Sequence, residues 1–215
     1  MVQISEILQK KRSMFQEVTR KRPYFQISYK DYIDLMTANA NIIMRNRNNN
    51  KFFRIDGESK YVIDNLYFYL TGNRNFYGNF LKGIFLIGPY GVGKTLILEF
   101  FCQIINDLGR KQVKIVRATD LCNFFKEDKK IYESLIKIPL MIDDLGKEPK
   151  EVQVWGNIVE PAKKLIDDRY SSGSWTFATG NYKLTSYEKQ YDSYISDRMK
   201  EMFNFYELTG PSQRE

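Results

Sequence analysis

The segment GPYGVGKT at residues 88–95 constrains the fold more than any other part of the chain. It matches the pattern G-x4-G-K-T in full, with Gly88, Gly93, Lys94 and Thr95 at the fixed positions. The apolar run GIFLI precedes it, and apolar residues at helical spacing follow it. A strand, a glycine-rich turn and a helix in this order predict a phosphate-binding loop, in which backbone N–H groups at the start of a helix surround the phosphates.

Two side chains of this loop have distinct expected roles. Lys94 is expected to reach the outer phosphates of a bound nucleotide, and the Thr95 hydroxyl is expected to bind Mg²⁺. The candidate nucleotide-binding residues are Gly88, Pro89, Tyr90, Gly91, Val92, Gly93, Lys94, Thr95 and Leu96. The loop alone does not identify the class of protein, because kinases, GTPases, motors and DNA-handling ATPases all use it.

A second apolar run, LMID, ends in two adjacent carboxylates, Asp143 and Asp144. Asp143 is predicted to hold Mg²⁺ together with Thr95, directly or through water. Asp144 is predicted to polarise the attacking water, as a general base or as a group that orients the water. An Asp-rich turn would also explain the pair taken alone. One strand and one helix separate it from the phosphate loop, and this spacing favours the catalytic interpretation.

Two further polar residues are candidates for catalysis. Asn181 follows the strand in FATGNY, and the carboxyl ends of parallel strands line a ligand crevice, where an amide can contact the γ-phosphate or its water. Arg198 lies on a predicted helix before the last strand, and an arginine supplied by a neighbouring subunit can stabilise transition-state charge. A turn asparagine and a surface arginine are the ordinary alternatives.

Short apolar runs alternate with helical patterns along the rest of the chain. The predicted strands are 83–87, 113–117, 139–143, 175–179 and 203–208, and a helix is predicted over 58–70. This alternation predicts an α/β fold with a five-stranded parallel sheet flanked by helices. The segment 152–170 keeps helical spacing but contains Pro161, so it is predicted as two short helices that meet at that proline.

Residues 1–50 are predicted to form a basic, helical, partner-binding region, and 51–215 the ATPase domain. Residues 1–51 hold 10 Lys and Arg against 4 Asp and Glu, whereas 52–215 hold 23 against 22. A helix is predicted over 4–20, and a second after Ser28, with Ile33, Met36, Ala40 and Ile43 as its buried stripe. The charge suggests contact with nucleic acid or an acidic protein, or a solvated arm.

Composition excludes several other classes of protein. Two cysteines and no histidine make a structural zinc site or a disulfide framework improbable. No run reaches the roughly 18 apolar residues of a membrane span, and the first residues are too polar for a signal peptide. We therefore expect a cytoplasmic protein without a membrane anchor.

The set GPYGVGKT, LMIDDLG, LIDDRY, FATGNY and DRMKEMF, in this order, resembles the AAA+ ATPases over about residues 52–215. More narrowly, it is similar to the DnaC/DnaI helicase loaders and the related IstB transposition ATPases. The resemblance implies that Asn181 is the sensor residue and Arg198 the arginine finger. It also implies that Arg214 senses nucleotide and that no C-terminal helical lid is present. Asp144, where most AAA+ proteins carry Glu, favours the loaders.

The resemblance leaves three functions open. The first is a Mg·ATP-dependent loader that self-associates, grips a replicative helicase through its N-terminal region and contacts single-stranded DNA. The second is a transposition regulator of the IstB type acting on duplex DNA. The third is an adaptor that binds nucleotide without turnover, which the intact carboxylate pair disfavours. Phe53 and Ile55 are weak candidates for the adenine pocket, which the sequence does not assign.

Overall fold

The computed structural model describes residues 4–19, 24–46, 55, 57–109, 112–127, 129–154 and 156–210. The helices are α1 (Ile4–Thr19), α2 (Tyr29–Asn46), α3 (Gly57–Thr71), α4 (Lys94–Leu108), α5 (Leu121–Glu127), α6 (Lys129–Lys137), α7 (Pro161–Ser172) and α8 (Leu184–Met202). The strands are β1 (Gly83–Ile87), β2 (Lys114–Arg117), β3 (Leu140–Asp143), β4 (Val152–Val154), β5 (Asn157–Val159), β6 (Thr176–Gly180) and β7 (Phe203–Glu207). Among these described helices, none has the length and apolar character needed to cross a membrane.

Five strands form one parallel sheet in the order β2-β3-β6-β1-β7, which confirms the predicted sheet. β1 lies between β6 and β7, and all five of its residues are buried. A central parallel strand is covered on both faces, which is why GIFLI is apolar throughout. The carboxyl ends of β1, β3 and β6 meet at one edge, and this edge carries the polar residues singled out above.

Each face of the sheet is covered by its own apolar cluster. Ile84 and Leu86 of β1 pack with α2, α3 and α4, whereas Phe85 and Ile87 pack with the α5–α8 side. This alternation follows from the two-residue period of a strand. The sheet is therefore a central layer between two helical layers, as predicted.

The second helix begins where the sequence predicts. The Ser28 hydroxyl accepts a hydrogen bond from the Asp31 backbone N–H at 3.1 Å and donates to the Asp31 carboxylate at 2.6 Å. This is a capping interaction at the start of α2. We expect Ser28→Ala to lower the free energy of unfolding by about 1 kcal/mol. Urea denaturation checks this, with Ser13→Ala as the control, since the Ser13 hydroxyl bonds within α1.

The buried face of α2 differs in part from the prediction. Met36 and Ala40 are buried as expected, together with Tyr32 and Met44. Ile33 and Ile43, predicted in the same stripe, are only partly buried at its flanks. The Tyr32 ring reaches the core because its hydroxyl donates to the Ile63 carbonyl at 3.1 Å.

The α2 helix packs against α4, the helix that leaves the phosphate loop. Its four buried residues belong to the same apolar cluster as one face of the sheet. Residues 47–50 of the predicted boundary lie outside the described residues. A boundary at about residue 50 stays a prediction.

The predicted first helix of the segment 152–170 is wrong. β4 and β5 form a short antiparallel hairpin there, with Val154 paired to Asn157. Gly156, in the turn between them, has a φ of 81°, a value that favours glycine. α7 begins at Pro161 instead of breaking there, because a proline at the first position of a helix has no N–H that the helix needs.

Candidate nucleotide-binding site

The phosphate loop connects the end of β1 to the start of α4, as the sequence predicts. Gly93 has a φ of 92° directly before the helix, a conformation that a side chain would strain. Gly88 has a φ of 142°, and a Cβ atom there would lie 2.0 Å from the Leu208 carbonyl oxygen. The loop therefore needs glycine at both positions to pass beside the end of β7 and to enter α4.

Lys94 is held inside the loop. Its side chain is buried, and its ammonium donates to the Pro89 carbonyl at 2.6 Å. A buried ammonium with a backbone acceptor is placed to bind anionic oxygens at the start of α4, where the helix dipole also favours negative charge. Tyr90, at the tip of the same loop, is exposed.

Thr95 and Asp143 meet as the sequence predicts. The Thr95 hydroxyl donates to Asp143 Oδ1 at 2.7 Å, and the Thr179 hydroxyl donates to the same oxygen at 2.6 Å. A carboxylate and a hydroxyl oxygen side by side are ligands that suit Mg²⁺. Thr179 lies within β6, which is buried throughout, so this strand fixes the orientation of Asp143.

Asp144 lies beside Asn181, the other predicted catalytic residue. The Asn181 side-chain amide donates to Asp144 Oδ1 at 2.7 Å. The Asp144 backbone N–H donates to the Thr179 hydroxyl at 2.9 Å. Thr179 of β6 therefore links the Asp143 carboxylate to the Asp144 backbone, and Asn181, directly after β6, binds the Asp144 carboxylate.

Lys147 is a contact of Asp144 that the sequence did not reveal. Its ammonium lies 2.6 Å from Asp144 Oδ2 and 4.8 Å from the centre of the Tyr90 ring. Burial raises the pKa of the Asp144 carboxyl, but the hydrogen bonds from Lys147 and Asn181 and the positive charges of Lys147 and Lys94 outweigh it. The net pKa is below the ordinary value for Asp, so this carboxylate is ionised at neutral pH.

Arg198 lies on α8, where it contacts α7 and α8 instead of the carboxylates. It forms an ion pair with Asp167, and its guanidinium stacks on the rings of Tyr170 and Tyr194 at 4.7 and 4.1 Å. No contact with Asp144 is found within the described residues. The structure therefore does not bring Arg198 to the site of its own chain.

The remaining candidates have different outcomes. Arg214 and Phe53 lie outside the described residues. Ile55 is partly buried and packs against the apolar cluster that contains α2. Neither Phe53 nor Ile55 therefore identifies the adenine pocket.

Comparisons with known proteins identify structures with a similar fold. No family model matches the sequence, and no curated protein matches it significantly. Among solved structures, it is similar to the DnaC helicase loader, with a TM-score of 0.56 and 19% identity over 74% of this chain and 95% of that one. DnaI gives a TM-score of 0.54 and 23% identity over 84% and 93%.

The similarity extends to an initiator protein. DnaA from Aquifex aeolicus, solved with AMPPCP bound, gives a TM-score of 0.54 and 13% identity over 75% of this chain and 50% of that one. These similarities are to a chain whose own structure has a five-stranded parallel sheet with helices on both faces. The chain therefore has the AAA+ type of P-loop fold, the fold of the DnaC and DnaI loaders, as its sequence motifs predicted.

Proposed function

We propose that this protein is an ATP-hydrolysing DNA replication factor that loads a replicative helicase onto single-stranded DNA. One observation carries the ATPase part of the proposal. Lys94, Thr95, Asp143, Asp144 and Asn181 converge at one edge of the sheet, with the hydrogen bonds described above. The fold shared with DnaC and DnaI supports the helicase-loading part.

The residues at this edge fit a Mg·ATP complex. The phosphate loop and Lys94 would bind the phosphates, and Thr95 and Asp143 would hold Mg²⁺, which neutralises phosphate charge when it is bound. Asp144 is ionised and partly exposed, so it can orient a water molecule and accept its proton. Asn181 fixes the Asp144 carboxylate and is placed to contact the same water.

Assembly is part of the proposal because Arg198 lies away from its own carboxylates. Asp167, Tyr170 and Tyr194 hold its guanidinium on the α7–α8 surface. An arginine fixed in this way can complete the site of a neighbouring copy, and such a contribution raises rates by several orders of magnitude. We therefore propose a homo-oligomer with sites between copies.

The exposed residues of α1 suit this helix to bind a protein partner. Ile4, Ile7 and Leu8 are exposed on α1, beside the basic residues Lys10 and Lys11. An amphipathic helix with an uncovered apolar face is suited to a groove on another protein. We propose that α1 binds the helicase, in agreement with the predicted role of the N-terminal region.

Capture of the host replicative helicase by the full chain tests this proposal. We expect capture in the presence of ATP, and we expect Leu8→Asp to abolish it because the substitution places a charge on the apolar face of α1. Leu81→Asp is the matched control, since Leu81 has a similar exposure, 56% against 51%, but lies between α3 and β1.

Other outcomes would contradict the loader proposal. Absence of capture with ATP, ADP and no nucleotide would rule out helicase loading. Binding to duplex DNA in preference to single strands, with a steep salt dependence, would favour the transposition regulator instead. Equal loss of capture in Leu8→Asp and Leu81→Asp would contradict the proposal that α1 contacts the helicase.

A further inference from the structure

The backbone at Asp144 is in an unfavourable conformation. Its φ is 58°, in the left-handed region that costs a residue with a side chain about 1 kcal/mol or more. Such a conformation persists only where neighbouring groups hold it. The Asp144 and Leu145 N–H groups bond to Thr179 of β6, which fixes the amino end of the turn.

The first half of α8 holds the carboxyl end of the same turn. The Tyr187 hydroxyl donates to the Leu145 carbonyl at 3.0 Å, and the Gln190 amide donates to the Gly146 carbonyl at 2.8 Å. The Tyr191 hydroxyl donates to the carboxylate of Glu148. Three side chains on two consecutive turns of this helix therefore bind the segment 145–148, which directly follows Asp144.

Glu148 connects this helix to the backbone of the turn. Its other carboxylate oxygen accepts a hydrogen bond from the Gly146 N–H at 2.8 Å. Glu148 is 8% exposed and Tyr191 3%. A buried carboxylate that loses a donor bears a large desolvation cost, so this pair is sensitive to the loss of one hydroxyl. Burial and the neighbouring Glu148 charge raise the pKa of Tyr191, which keeps its hydroxyl protonated as a donor.

The two halves of α8 are separate helices. Asp192 has a φ of 62° and interrupts the helix, and its carboxylate accepts a hydrogen bond from the Ile195 N–H at 3.0 Å. The second half therefore has its own cap and carries Arg198. Residues 184–191 form a unit whose buried polar contacts are made with the turn after Asp144.

We propose that Tyr191 and Glu148 are positioning residues for the Asp144 carboxylate, which they hold toward Asn181 by fixing the turn 144–148. They do not contact the reacting atoms. Their effect passes through Gly146 to the backbone of Asp144. This inference rests on the proposed ATPase, in which Asp144 orients the attacking water.

Tyr191→Phe tests the proposal, because it removes one hydroxyl and keeps the ring. We expect the single-turnover rate of ATP hydrolysis to fall about tenfold, with the Kd for a non-hydrolysable ATP analogue unchanged within about twofold. Tyr132→Phe is the matched control. Tyr132 is also a buried tyrosine, 7% exposed, whose hydroxyl donates to a carboxylate, that of Asp168 on α7. Its loss should lower stability without changing the hydrolysis rate.

Amide hydrogen exchange gives a readout that does not depend on hydrolysis. We expect Tyr191→Phe to speed exchange at the Leu145 and Gly146 N–H groups, and Tyr132→Phe to leave them unchanged. If the wild-type chain hydrolyses no ATP, the proposed function fails while exchange still tests the positioning contact. Unchanged exchange and an unchanged hydrolysis rate in a folded Tyr191→Phe protein would overturn the inference, as would an equal rate loss in both variants.

Discussion

Asp144→Asn is expected to reduce ATP hydrolysis by about 100-fold or more while nucleotide binding is retained. The amide has the shape of the carboxylate and can still accept the hydrogen bond from Asn181, but it cannot accept a proton from water. General-base catalysis contributes roughly 10²–10⁴-fold to a rate. Phosphate release measures the loss, and titration with a fluorescent ATP analogue measures binding.

The control for this substitution changes the net charge equally. Asp34 is exposed on α2, so Asp34→Asn removes one negative charge from a helix that contributes no residue to the carboxylate pair. It should hydrolyse ATP at the wild-type rate. Retention of hydrolysis in Asp144→Asn would contradict the assignment of Asp144 as the base, and loss of binding would indicate that the site had collapsed.

Arg169→Met is expected to produce the largest loss of stability. Arg169 is fully buried, and burial lowers the pKa of its guanidinium to about 9, which leaves it charged at neutral pH. It donates to the carbonyls of Leu135, Ile138 and Trp175 and to the Thr176 hydroxyl. These bonds join α7 to the carboxyl end of α6 and to the amino end of β6.

The expected size follows from two opposing effects. Each buried acceptor left without a donor costs about 1–3 kcal/mol, and removal of a buried charge offsets part of that cost. We expect a net loss of about 3 kcal/mol in the free energy of unfolding, measured in urea. Arg74→Met is the control, because Arg74 is exposed. Equal stabilities of the two variants would show that the four bonds of Arg169 make no net contribution.

The sheet was predictable because its signals are local. Each strand of the main sheet is a short apolar run bounded by turn residues, and a buried parallel strand leaves little room for polar side chains. The helix predicted at 152–160 was wrong because the valines and the isoleucine there fit both the 3.6-residue period of a helix and the two-residue period of a strand. Gly156 between two triplets rich in β-branched residues was the available signal for a hairpin.

The candidate site was predictable only where residues are adjacent in sequence to a strand end. Asp143 and Asp144 at the end of β3 lie beside Asn181 after β6 because parallel strands align their carboxyl ends, and the loop after β1 brings Thr95 to Asp143. Glu148 and Tyr191 are 43 positions apart and meet only because α8 folds back over the turn. Lys147 could not be distinguished from an ordinary surface lysine without the coordinates of Asp144.

The packing of α2 on α4 sets a practical limit on where the chain can be cut. A recombinant fragment that starts at residue 51 would uncover the α4 face against which Met36 and Ala40 lie, and this apolar surface would favour aggregation. A fragment that starts at residue 24 keeps that surface covered and lacks α1, the helix with the exposed Ile4 and Leu8. Limited proteolysis should accordingly yield a resistant product that retains α2.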